Sequence, residues 1–330
     1  MSIPELDELE DLIEQLGDRV QVQVLARAGG FPVYGLVMGH EDATAPCLCL
    51  VGGVHGLERI GTQVVLAYLR TLAERLQWDL LTQEALRWSR VIAIPLLNPL
   101  GMLAGTRSNG NGVDLMRNGP TNVDGKAAFL VGGQRISPRL PWFMGQEGVL
   151  ETESQALIDF VTKEVLPSEV AISLDVHSGF GFRDRLWFPY ARTARPFPHT
   201  AEIYSLFELL DRTLPHHVYH AEPQSCAYTI AGDLWDFLYD RSREGSQGLF
   251  LPLTLEMGSW TWVRKNPRQL FSLLGTFNPI KHHRLRRTLR RHLLLIDFLH
   301  RAVIGRTAWA ELEQSTRRRC LSLAVNRWFT

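Results

Sequence analysis

Four stretches of strand length, residues 47–51, 91–97, 170–176 and 249–255, are built mainly from apolar residues. Strands of that kind need cover on both faces, which an antiparallel sheet with one solvated face does not provide. Between the first two stretches, over 57–78, apolar residues return with a period near 3.6. This is a β-α-β unit and implies a parallel pairing. The alternation then continues, with 150–165, 201–214 and 284–303 reading as helices and 186–190 as a further strand. The expected fold class is α/β, a mixed, largely parallel twisted sheet with helices on both faces.

Ahead of this pattern, residues 1–19 carry seven acids, with Leu6, Leu9, Leu12, Ile13 and Leu16 at helical spacing and Gly17 as the stop. They read as an acidic amphipathic helix. Two strands, 20–26 and 33–38, flank the turn Gly29-Gly30-Phe31-Pro32. No repeat, low-complexity tract or linker divides the rest. The organisation expected is the N-terminal helix (1–19), one catalytic domain (20–303) and a C-terminal extension (304–330). Residues 98–148 are rich in Gly, Asn, Pro and Arg with little periodicity, and connections of that length usually carry function.

Of the 330 residues, 35 are Lys or Arg and 35 are Asp or Glu. Zero net charge argues against nucleic-acid binding, which needs clustered cations to displace counterions from phosphates. No window reaches the roughly 18 apolar residues of a membrane span, and an acid-rich N-terminus is unlike a signal peptide. The expected location is the cytoplasm, with no membrane partner and with Cys47, Cys49, Cys226 and Cys320 as buried thiols.

Three strand ends carry chemistry. The run 47–51 leads into Gly52-Gly53-Val54-His55-Gly56-Leu57-Glu58, and 170–176 leads into His177. Ligands in open α/β sheets bind at the carboxyl ends of strands. Two imidazoles and one carboxylate from two strand ends make the ligand set of a catalytic zinc, with the fourth position left to water. Alone, His55-x-x-Glu58 is equally a loop histidine beside a helix-start glutamate. A third strand end supplies Glu256, a general base for the attacking water or else a solvated rim glutamate. The long loop adds Arg107 and Gly112-Val113-Asp114-Leu115-Met116-Arg117-Asn118, whose guanidinium groups suit oxyanions and carboxylates.

Together, over about residues 45–260, these pieces resemble the zinc carboxypeptidase family, the metallocarboxypeptidases of the M14 type. The joint pattern is His55-x-x-Glu58, Arg107, Gly-Val-Asp-Leu-x-Arg-Asn, His177-Ser178, Tyr228 and Glu256. The resemblance implies one zinc ion per chain on His55, Glu58 and His177, with Glu256 as the base that later protonates the leaving amine. It implies that Arg107 stabilises the oxyanion, Arg117 clamps the substrate's terminal carboxylate and Tyr228 caps the substrate. Asp114 then accepts a hydrogen bond from His55 and fixes its tautomer. Met116 departs from the family, which usually has asparagine there, and a thioether donates no hydrogen bond. The lost contact is worth about 1.5–3 kcal/mol, or ten- to a hundredfold in carboxylate affinity. Trp235 stands near the position that shapes the specificity pocket. It narrows that pocket if it points inward, and is a core aromatic otherwise.

The function expected is zinc-dependent hydrolysis of peptide amides, as a carboxypeptidase releasing C-terminal residues. The alternatives, drawn from Met116, are an N-acyl-amino-acid deacylase resembling the aspartoacylase and succinylglutamate desuccinylase branch, acting on acylated amino acids, or a cell-wall peptide amidase. A non-enzymatic binding module with a decayed site is the distant one. The cluster His216-His217-x-x-His220 reads as an exposed turn. The cations at Lys281, Arg284, Arg286, Arg287, Arg290 and Arg291 read as a solvated helix face, neutralised by the acidic N-terminal helix.

Overall fold

The apolar stretches become the centre of one eight-stranded sheet. In the computed structural model, which describes residues 2–245 and 248–330, the strands are β1 (Gln21–Ala28), β2 (Phe31–Gly39), β3 (Cys47–Gly52), β4 (Arg90–Ile94), β5 (Val170–Ser178), β6 (Arg185–Phe188), β7 (His220–Pro223) and β8 (Leu249–Met257). They are ordered β1-β2-β4-β3-β5-β8-β6-β7. β4, β3, β5 and β8 run parallel, and antiparallel partners flank them on both sides. Every residue of β3, β4 and β5 is buried, as cover on both faces requires.

The helices are α1 (Pro4–Leu16), α2 (Arg59–Arg75), α3 (Leu80–Trp88), α4 (Pro99–Ala104), α5 (Thr152–Glu164), α6 (Thr200–Thr213), α7 (Leu234–Gly245), α8 (Trp260–Lys265), α9 (Leu273–Phe277), α10 (His282–Ile304) and α11 (Gln314–Trp328). α2 and α10 lie on β3 and β5, with α1 and α3 packed against them, while α5 and α7 touch each other and reach β1 and β8. α1 buries Leu6, Leu9, Leu12 and Leu16 and ends at Gly17, whose φ of 53° suits a residue without Cβ. α11 packs along α6. Its Trp328 sits among Phe188, Tyr204 and Phe207 and donates to Ala221 O.

Two expectations need correction. The acids of α1 do not neutralise the basic start of α10. Glu5 and Glu8 pair with Arg59 and Arg70 of α2, the helix against which α1 packs. On α10, Arg291 pairs with Asp184, and Arg284 donates to the carbonyls of Trp262 and Lys265. Cys226 is exposed, unlike the other three cysteines, because it ends the short 3-10 turn after β7, Gln224–Cys226, outside the packed strands and helices.

The connection from β3 leads to β4 on one side, whereas the chain then returns to β5 on the other side of β3. Connections that diverge from neighbouring parallel strands leave a crevice at the carboxyl ends. The register sets Gly52 beside Val176 and His177 beside Glu256, so all three loaded strand ends open into it.

Candidate metal centre and active site

After β3 the chain turns at Gly53, with φ 64°, and enters α2 with Glu58 at the N-cap position. Close approaches fix this turn. A Cβ on Gly56 would lie 1.9 Å from the Gly101 carbonyl carbon of α4, and one on Gly61 would lie 2.2 Å from Val176 O of β5. Only glycine lets the metal loop press on α4 while α2 presses on the strand that delivers His177.

His55, Glu58 and His177 are each buried, and their ligand atoms all lie within 4.8 Å of one another. His55 Nδ1 is 2.9 Å from Glu58 Oε1, His177 Nδ1 is 3.0 Å from Glu58 Oε2, and the two Nδ1 atoms are 3.0 Å apart. The outer nitrogens face carboxylates. His55 Nε2 is 3.1 Å from Asp114 Oδ1, and His177 Nε2 is 2.8 Å from Asp175 Oδ2. A carboxylate beside each Nε2 favours the proton there, which leaves Nδ1 a lone pair in the neutral imidazole. Two lone pairs facing each other in a dry site repel, and a single cation between them satisfies both. With one carboxylate added, the donor set fits zinc and leaves a fourth position open.

Asp114 is the hub of the next layer. Its side chain takes His55 Nε2 on Oδ1, and on Oδ2 it accepts Arg107 Nε at 2.8 Å and Arg117 Nη1 at 3.0 Å. Burial opposes its charge, yet Arg107 and Arg117 hold its carboxyl well below the usual range. Glu58 is likewise held low by the two histidines against its burial, and it accepts Ser178 N and Arg107 Nη1. Arg117, 2% exposed, also sends Nε and Nη2 to Val131 O. A guanidinium has five N–H groups. Three of these are engaged, so two remain for one carboxylate.

Glu256 stands next to His177 on the neighbouring strand, and its Oε1 accepts Phe180 N at 2.9 Å. Burial and the Glu58 carboxylate push it up to about 8. Tyr228 borders the same space and meets Phe180 and Trp187 edge-on. Met116 and Trp235 both line the pocket that Arg117 reaches. Trp235 points inward, and its Nε1 donates to Asp175 Oδ2 at 2.8 Å.

All ten residues singled out in the sequence therefore meet in one place. Asp175 was missed. An acid inside an apolar strand, two residues before a histidine and hence on the same strand face, carried the signal. Asp233, also missed, lines the Arg117 pocket, where burial raises it to about 6. The backbone groups Val131 O and Phe180 N left no trace in side-chain chemistry.

Among solved structures, thrombin-activatable fibrinolysis inhibitor is similar over 91% of this chain and 74% of its own, with TM-score 0.68 and 18% identity. Its bovine form in complex with tick carboxypeptidase inhibitor matches over 93% and 98%, with TM-score 0.67 and 17% identity. Carboxypeptidase A from Helicoverpa armigera matches over 94% and 74%, with TM-score 0.63 and 16% identity. At such identities the likeness speaks for the fold. A search of curated proteins finds no significant match. Residues 6–260 match the zinc carboxypeptidase profile, Peptidase M14. With that match over most of its length and the ligand cluster at its strand ends, the chain belongs to the zinc carboxypeptidase family.

Proposed function

We propose that the protein is a zinc-dependent carboxypeptidase that hydrolyses the last amide of a peptide. The observation that carries this reading is the convergence of His55, Glu58 and His177 on one point, with Glu256 beside them. Zinc held by those three residues would supply Lewis acidity toward the substrate carbonyl and the attacking water. Glu256 takes the water's proton and returns it to the leaving amine. Phe180 N occupies Oε1, which leaves Oε2 to move the proton. Arg107 is anchored through Nε and Nη1, and its Nη2 faces the oxyanion as charge develops. Arg117 presents its two remaining N–H groups to the terminal carboxylate, and Tyr228 closes over the substrate.

Met116 favours a second reading. It lines the pocket beside Arg117 with an apolar surface, which weakens the grip on a free carboxylate. That leaves an N-acyl-amino-acid deacylase or a cell-wall peptide amidase as rivals. Glu256→Gln should abolish turnover while about one zinc per chain survives dialysis. Undiminished turnover in that variant removes the mechanism, and metal-free protein removes the catalytic reading. A panel of C-terminally free, C-terminally amidated and N-acylated substrates separates the rivals, because a carboxypeptidase must lose activity on amidation.

A further inference from the structure

The catalytic cluster opens on two cavities of unequal size. The one reached by Arg117 holds ≈ 50 Å³ and is walled by Met116, Trp187 and Trp235. The other, ≈ 810 Å³, runs outward between residues 138–142 and α9. His55, Arg107, Tyr228 and Glu256 border both. A carbonyl held at these residues sends its amine portion toward Arg117 and its acyl portion into the larger groove.

That groove is apolar and rigid. Leu57, Leu140, Trp142, Phe180, Leu273 and Phe277 line it, and outside the catalytic cluster Arg139 is its one charged lining residue among those described. Leu140 is 42% and Leu273 63% exposed, so apolar surface beside the reacting centre waits for a ligand to cover it. The α9 wall is tied to the segments that carry His55, Glu58 and His177, and the 138–142 wall to the loop that carries Asp114. Ser178 Oγ donates to Phe277 O at 2.8 Å, and Asn278 bridges Ile60 N and Leu57 O. Across the groove, Asp114 N donates to Phe143 O, and Gln134 N to Trp142 O. A wall fixed before binding loses little entropy when it is filled.

We propose that this groove is the acyl-side subsite and that the substrate is an amide whose acyl portion is bulky and apolar. The inference rests on the amide-hydrolase reading above. The full-length, zinc-loaded protein is to be assayed on N-acetyl-Gly-Ala, N-acetyl-Asp-Ala and N-acetyl-Phe-Ala. The phenylalanine substrate should exceed the glycine one in kcat/KM by about tenfold or more, with aspartate lowest. Leu273→Glu and Leu140→Glu, both at exposed positions that tolerate charge, should each remove most of that ratio, whereas Leu81→Glu on α3 keeps it. Equal kcat/KM for glycine and phenylalanine, or a ratio untouched by both groove variants, overturns the proposal. A fluorescence titration with N-dansyl-phenylalanine needs no turnover. Binding weakened about tenfold by Leu273→Glu supports the groove even if no amide in the panel is cleaved, in which case the hydrolase reading alone fails. Binding indifferent to both groove variants overturns the groove.

Discussion

Asp114→Asn changes one atom and reaches three partners. The carboxylate serves His55 on Oδ1 and both arginines on Oδ2, whereas an amide keeps one acceptor and turns the other atom into a donor. If the NH2 replaces Oδ2, it confronts two guanidinium N–H groups. If it replaces Oδ1, His55 must present a lone pair at Nε2, move its proton to Nδ1 and lose the lone pair that faces the metal. Either way Arg117, 2% exposed, loses its ionic partner in the interior. Breaking a buried pair in this manner costs about 3–5 kcal/mol, and losing a ligand's supporting contact costs about ten- to a hundredfold in metal affinity. Urea unfolding in excess chelator reads the first quantity without metal, and zinc competition against a fluorescent chelator reads the second. The reasoning is refuted if the variant stays within about 1 kcal/mol of wild type and binds zinc within about threefold of it.

Trp235→Phe keeps an aromatic ring in the pocket but removes the indole N–H that donates to Asp175, which lies against His177. We expect about 1–3 kcal/mol of lost stability together with weaker zinc binding in the same chelator assay. Wild-type values in both would show that Trp235 only fills space. His292 and His300 are both held near pKa 4 by burial, with Arg291 and Arg301 adding to the effect and Asp184 and Asp297 opposing it. Unfolded, each returns to about 6.5, so the stability tied to neutral imidazole is complete above about pH 6.5 and declines as pH falls toward 4. Asp233, raised to about 6 by burial, acts with the opposite sign over part of that window, so the comparison is made by difference. Replacing His300 with Asn should flatten the slope of stability against pH between 4 and 6.5 by up to about 1.4 kcal/mol per pH unit. Parallel slopes for the two proteins would contradict it.

The candidate ligands and the candidate base were legible for a local reason. Each sits within a few residues of the end of an apolar strand, and parallel strands bring their ends to one edge. What the sequence concealed were couplings between residues far apart along the chain. Trp235 reaches Asp175 across 60 positions, and Asn278 grips the metal loop across 221. Nothing local marks such pairs, because each partner is satisfactory as a core aromatic or a loop amide on its own. The acidic helix shows the converse. Its amphipathic pattern predicted α1 correctly, but charge balance alone named the wrong partner, since ion pairs form wherever packing has already placed the helices.

Hydrophobic period and strand-end chemistry belong to the sequence by itself. They dictated the layered α/β architecture, the candidate His-Glu-His metal set and the two arginines, because burial demand and ligand chemistry are properties of single residues and short spacings. Only the tertiary structure decided that one carboxylate, Asp114, orders a histidine and both arginines, that Trp235 faces into the pocket and supports Asp175, and that the site opens on a narrow pocket at Arg117 and a broad apolar groove. Those outcomes depend on which surfaces meet at van der Waals distance, and that is settled when the whole core packs and by no segment alone.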